Sequence, residues 1–185
     1  MATTETANTY HAITEKLPFK GEKEILETLG QLNIPSEDYF VIGGANLVLR
    51  GILRGTPDLD MLVSREAMKY LALRDGAEFH EPPLPAQQRG ASNATVWVHN
   101  SLTSIPVSAT DALGDGYYPM TFNSHKGQTE LVQGIPCLLL DHVIESKIAL
   151  QRPKDLDDLT VISHLIGGVA VDLPRPTIFH PLESS

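Results

Sequence analysis

Apolar residues along this chain change their spacing several times, and each change marks an element. Ile25, Leu26, Leu29 and Leu32 recur at helical spacing, which predicts an amphipathic helix over residues 22–32, weakened by Gly30 and ended by Asn33 and Pro35. Tyr39-Phe40-Val41-Ile42 is a short continuous apolar run stopped by Gly43-Gly44, the pattern of a buried strand. Residues 45–50 make one or two helical turns closed by Gly51. Residues 58–63 form a second strand. Ser64 caps an amphipathic helix carrying Ala67, Met68, Leu71 and Leu73.

Further along, Glu81-Pro82-Pro83-Leu84-Pro85, with Arg89-Gly90 behind it, reads as a long surface loop. Residues 95–99 and 105–109 pattern as a hairpin joined by residues 100–104, and residues 117–122 and 135–138 as short edge strands. From Leu140 the chain turns helical. One helix runs to Leu150, and another opens at Pro153 and ends at Gly167-Gly168. This order predicts an α/β (or α+β) architecture, a sheet covered by helices.

Composition narrows the picture. With 185 residues the chain suffices for one compact domain, here residues 21–172, with a polar leader over 1–20 and a Pro-punctuated tail over 173–185. The single cysteine, Cys137, excludes an internal disulfide and a cysteine-built zinc site, and its apolar setting predicts a buried thiol. No apolar run approaches the roughly 18 residues of a membrane span, and the first residues lack a secretory pattern, so a cytoplasmic location is expected. The net charge of −9, from 14 basic and 23 acidic side chains, disfavours non-specific coating of nucleic acid but leaves room for a local basic pocket.

The sharpest chemical feature is Asp58-Leu59-Asp60. Residues two apart on a strand share a face, so both carboxylates emerge together while Leu59, Met61 and Val63 fill the opposite face. Two adjacent negative charges call for a cation between them or a proton on one. Mg²⁺ suits such hard oxygen ligands and leaves positions for phosphate; the plainer reading is two solvated aspartates at a strand edge. Gly43-Gly44 either brings backbone close to a ligand or simply makes a tight turn. Arg54 either meets a phosphate or neutralises the aspartates, and Thr56 is either a ligand or the first residue of the strand.

Lys147 sits at the margin of the apolar stripe Leu140, Val143, Ile144 and Ile148. Its ammonium either snorkels outward or turns into a cleft. Asp155, Asp157 and Asp158 follow Arg152-Pro153-Lys154 and suit the start of a helix without any other role. His80, His99, His125, His142 and His164 are scattered with no paired spacing, and Trp97 and Phe122 are expected in the core.

Together, Phe40-Val41-Ile42-Gly43-Gly44-Ala45 and Arg54-Gly55-Thr56-Pro57-Asp58-Leu59-Asp60-Met61 resemble the signature of the DNA polymerase beta-like nucleotidyltransferases. Residues 147–158, containing Arg152-Pro153-Lys154-Asp155-Leu156, look like the tail of the branch that includes abortive-infection and toxin-antitoxin nucleotidyltransferases. The resemblance spans roughly residues 39–63 and 138–159. It implies a nucleotidyltransferase-like mixed sheet flanked by helices and a nucleoside triphosphate held near Gly43, Gly44, Arg54, Thr56, Lys147 and Lys154. It further implies Mg²⁺ or Mn²⁺ on Asp58 and Asp60, and transfer of a nucleotide to a tRNA, protein or small-molecule acceptor, with an antitoxin as a possible partner. A basic patch of Arg50, Arg54, Lys147, Arg152 and Lys154 would serve a tRNA acceptor.

The family pattern also implies a third carboxylate from a later strand. Ser108 stands where it is expected, and Asp111, three residues on, is the candidate that a bulge or shifted register would bring in. If Asp111 stays away, a catalytically inactive nucleotide-binding or interaction protein with the same fold becomes the alternative. An incidental Asp-x-Asp would instead lie on a convex surface with no facing cleft.

Overall fold

The computed structural model describes residues 19–80, 95–98, 103–113 and 119–166. Helix α1 (Glu22–Leu32) leads through a 3₁₀ turn to strand β1 (Tyr39–Val41), helix α2 (Gly43–Leu49), strand β2 (Leu59–Val63) and helix α3 (Arg65–Ala72). Strands β3 (Ala77–His80), β4 (Thr95–Val98) and β5 (Val107–Thr110) follow, then a small ribbon of β6 (Ala112–Leu113) and β7 (Met120–Thr121). Helix α4 (Phe122–His125), strands β8 (Thr129–Val132) and β9 (Ile135–Leu138), and helices α5 (Leu140–Leu150) and α6 (Pro153–Leu165) complete the described chain.

Seven strands form one mixed sheet in the order β3-β4-β5-β2-β1-β9-β8. Two pairings are parallel, β2 with β5 and β1 with β9; the others are antiparallel. Strand β2 therefore lies mid-sheet, with alternate residues feeding two apolar layers. Leu59, Met61 and Val63 pack with Ile25, Leu29 and Leu32 of α1 and Ala67, Met68 and Leu71 of α3. On the other face Leu62 joins Phe40, Leu138, Phe122, Val143 of α5 and Ile162 of α6. Each such buried side chain contributes about 1.5–3 kcal/mol of transfer free energy. Asp60 shares Leu62's face one step nearer the strand start, beside the α5–α6 turn, where that layer ends.

Local signals explain the boundaries. Asn33 adopts φ 52° and its N–H donates to the Leu29 carbonyl, closing α1. The Ser64 hydroxyl accepts from the Ala67 N–H at 3.1 Å, opening α3. Phe122 is buried and stacks on Phe40 with ring centroids 5.7 Å apart.

Several expectations change. Leu73 is the residue after α3 and is 87% exposed, because the apolar stripe ends at Leu71. Residues 135–138 are not at an edge, since β8 pairs outside β9, and in the described part of residues 117–122, which begins at 119, Met120–Thr121 is strand and Phe122 starts a helix. Strand β2 begins at Leu59, so Asp58 is the residue entering it. Most of the leader, the Pro-rich loop with Arg89-Gly90, His99, Gly167-Gly168 and the tail lie outside the described residues. Among the described residues, no helix is long and apolar enough to cross a membrane.

Candidate functional site

A cleft of about 820 Å³ opens between the start of β2 and the first turns of α6. One wall is Gly44 of α2, Leu53 to Asp58 of the connecting segment, and Asp60; the facing wall is Arg152, Pro153, Lys154, Asp157 and Asp158, with Phe19 also on the lining. The volume is within the range of small-ligand sites. The aspartates thus face a cleft rather than a convex surface.

The bend at the start of α2 fits closely against the segment that enters β2. Gly43 has φ +62°, a conformation side chains rarely adopt, and a Cβ there would lie 3.1 Å from Asp60 Oδ2. A Cβ on Gly44 would fall 2.8 Å from Thr56 Oγ1, too close to accommodate without movement. Thr56 itself is buried, and its hydroxyl donates to the Asp58 carbonyl at 3.1 Å. The glycine pair therefore lets threonine and the acid-bearing segment pack onto the bend. That assigns Thr56 an internal hydrogen bond at the cleft wall.

Burial pushes the Asp58 carboxyl up to about 7, and the neighbouring Asp60 adds to the rise, while Lys154 and Arg152 partly offset it. Two hard carboxylates are a donor set that suits Mg²⁺ or Mn²⁺ completed by water and phosphate oxygens. Among the described residues no group of three or more His, Cys, Asp or Glu is placed to hold a metal.

Asp111 does not join them. Parallel pairing of β2 with β5 sets Asp60 opposite Ser108 and Leu62 opposite Thr110, which puts Asp111 at the far end of β2, three residues on from Ser108. There its carboxylate lies 4.0 Å from Arg65 Nε, and its carbonyl accepts from the Phe122 N–H. No bulge moves it back, because Ser108, Ala109 and Thr110 keep an unbroken register.

Lys147 also stays off the cleft surface. It is 5% exposed, and its ammonium donates to Asp158 Oδ2 at 2.7 Å and Asp155 Oδ1 at 3.4 Å. Asp155, 0% exposed, also accepts from the Arg152 main-chain N–H, Nε and Nη2. Burial alone would raise the Asp155 carboxyl, but Arg152 and Lys147 together hold it below the usual carboxylate range. Two of the acids expected at the helix start, Asp155 and Asp158, thus form the lock that joins α5 to α6. Arg50 is likewise engaged, donating to Asn46 Oδ1 and the Leu138 carbonyl and pairing with Glu130 at 2.7 Å. Of the expected basic patch, Arg54, Arg152 and Lys154 line the cleft.

Phe19, Leu53, Pro57, Asp157 and Asp158 were not read as site residues. Only the α5–α6 turn brings the last two across from Asp58, a long-range relation that no local spacing displays. His125 and His142, separated in sequence, meet edge-to-face at 5.5 Å, away from the cleft lining. Burial first, then His142, lowers the His125 pKa. Cys137 is buried as expected, and burial pushes its thiol up to about 11.

No protein-family model and no curated protein matches this chain. Solved structures with a similar chain path include a "putative nucleotidyltransferase" from H. pylori, 14% identical over 77% of this chain and 66% of that one, with a TM-score of 0.43. Another is JHP933 from Helicobacter pylori, 15% identical over 77% of this chain and 64% of that one, also with a TM-score of 0.43. The chain spans slightly less than two thirds of the length of each. Likeness at this level assigns no activity.

Proposed function

We propose that this chain binds a nucleoside triphosphate with a divalent cation in the cleft and transfers its nucleotide to an acceptor. The observation that carries the reading is a pair of adjacent aspartates, one of them pushed to about 7 by burial and by its partner, on a cleft wall faced by Arg152 and Lys154. Asp58 and Asp60 would hold the cation. A divalent cation held by these two carboxylates would supply charge neutralisation and Lewis-acid polarisation of a phosphate.

The remaining work belongs to the chain's own groups. Arg54 and Lys154, exposed on the lining, balance phosphate charge that the aspartates would otherwise repel. The Gly43-Gly44 bend keeps backbone rather than bulk beside Asp60 and Thr56. Lys147 acts at one remove, through Asp158 and Asp155, by fixing the wall that carries Lys154. Catalysis of this kind is positioning and charge stabilisation, with no covalent step on the protein.

A second reading has its own support. Ser108 stands beside Asp60, Asp111 pairs with Arg65, and among the described residues no group of three acids is placed to hold a metal, which favours nucleotide binding without transfer. Incubation with α-labelled triphosphates, Mg²⁺ and a cell extract separates the two. Label transfer by the wild type, lost in a folded Asp60→Asn variant, supports the enzyme, and the sensitivity of the labelled product to ribonuclease or protease identifies a tRNA or protein acceptor. Binding without transfer supports the second reading. Undiminished transfer by Asp60→Asn overturns the role of the pair. An antitoxin partner belongs to the toxin form of the proposal, and co-expression that suppresses the label would reveal it.

A further inference from the structure

Phe19 is an aromatic side chain left 75% exposed, yet it lines the same cleft as Asp58, Asp60 and Lys154. Its position is not that of a loose end. The next residue, Lys20, exchanges two main-chain hydrogen bonds with Thr56, each 2.9 Å, in an isolated antiparallel bridge. A Cβ built on Gly55 would lie 3.1 Å from the Phe19 Cβ, so the two segments run in contact. Thr56 in turn holds the Asp58 carbonyl. Two main-chain bonds and the Thr56 hydroxyl therefore tie the segment that carries Phe19 to the segment that carries the acids.

The lining is divided chemically. Asp58, Asp60, Arg54, Arg152 and Lys154 carry charge, whereas Phe19, Leu53, Pro57 and Pro153 offer apolar surface. A bare polyphosphate has no use for the apolar part. A nucleoside triphosphate does, because its base is a flat π-surface attached to a charged tail. Exposed aromatic side chains are the usual platforms for bases.

We infer that Phe19 is the base-stacking residue of the cleft, so that the site prefers nucleoside triphosphates over inorganic polyphosphate. The inference rests on the phosphate-and-cation reading of Asp58 and Asp60. Phe19 recognises a π-face, whereas Arg54 and Lys154 recognise phosphate.

Calorimetric titration of the full chain with MgATP and with magnesium tripolyphosphate tests it. Wild type binds MgATP more tightly than tripolyphosphate. Phe19→Ala weakens MgATP by about 5-fold or more, the lower end of a lost stack, and leaves tripolyphosphate unchanged; Phe19→Tyr keeps the MgATP affinity. Equal MgATP affinity in wild type and Phe19→Ala overturns the stacking role while the cation reading stands. Parallel weakening of both ligands also overturns it, since the residue would then act through the Thr56 segment. If wild type binds neither ligand, the cation reading fails and takes this inference with it.

Discussion

Asp60 of β2 and Ser108 of β5 are register partners in a parallel pairing, so their side chains leave the same face of the sheet. A carboxylate at residue 108 would stand beside the pair that lines the cleft. Ser108→Asp is therefore expected to lower the thermal midpoint without metal, through like-charge repulsion, and to enlarge the stabilisation by Mn²⁺. Asp111→Asn leaves that metal response unchanged. Thermal melts with and without Mn²⁺ at pH 8 read both outcomes.

Asp58 makes stability depend on pH in an unusual direction. Its folded-state pKa, about 7, lies above the ordinary value of 3.8, so the folded chain keeps a proton that the unfolded chain has lost. Stability contributed by this group is full below about pH 4 and declines as pH rises through about 7. Asp58→Asn removes the decline and raises the melting temperature at pH 8 by roughly 5 °C or more, with little change at pH 4. Mg²⁺ has the same effect on wild type only. Uptake of the cation near neutral pH also releases a proton, visible as a buffer-dependent binding enthalpy.

Asp155 works in the opposite sense. Its carboxyl is held below the ordinary value by Arg152 and Lys147, so its contribution is present above about pH 4 and is lost as pH falls further. Lys147→Ala leaves Asp155 and Asp158 short of a buried partner and is expected to cost about 3–5 kcal/mol in urea unfolding at pH 7. Asp155→Asn flattens the acid limb of the stability profile.

Gly44→Ala tests the packing of the glycine bend. The added methyl meets Thr56 Oγ1, which is held by its bond to the Asp58 carbonyl, so the acid-bearing segment shifts. Mg²⁺-dependent stabilisation falls while far-ultraviolet circular dichroism stays that of the wild type. Thr56→Ser, which keeps the hydroxyl, leaves the response intact; Thr56→Val lowers it.

Residues with local signals were legible in the sequence. Periodicity located α1 and α5, Ser64 marked the start of α3, and the alternation after Asp58 placed Leu59, Met61 and Val63 in the core. Strand β8 escaped because Thr129-Glu130-Leu131-Val132 lies at an edge and Leu131 faces solvent, so no burial pattern was imposed on it. The partners of Lys147 have no local signal for a different reason. Its side chain turns inward because Asp155 and Asp158 supply compensating charge from the next helix, and spacing on one helix carries no trace of a partner on another. Asp111 failed through register, which parallel pairing sets and which a short segment cannot announce.

The two walls of the cleft come from widely separated parts of the chain. The Lys20–Thr56 bridge ties the N-terminal helix, the glycine bend and the acids into one early unit, whereas Arg152 to Asp158 are synthesised long afterwards. A nascent or truncated chain that stops before Arg152 carries its acids toward open water, with Asp58 relieved of the desolvation that raises its pKa. The proposed ligand site is therefore complete only once the α5–α6 hairpin docks beside the start of β2.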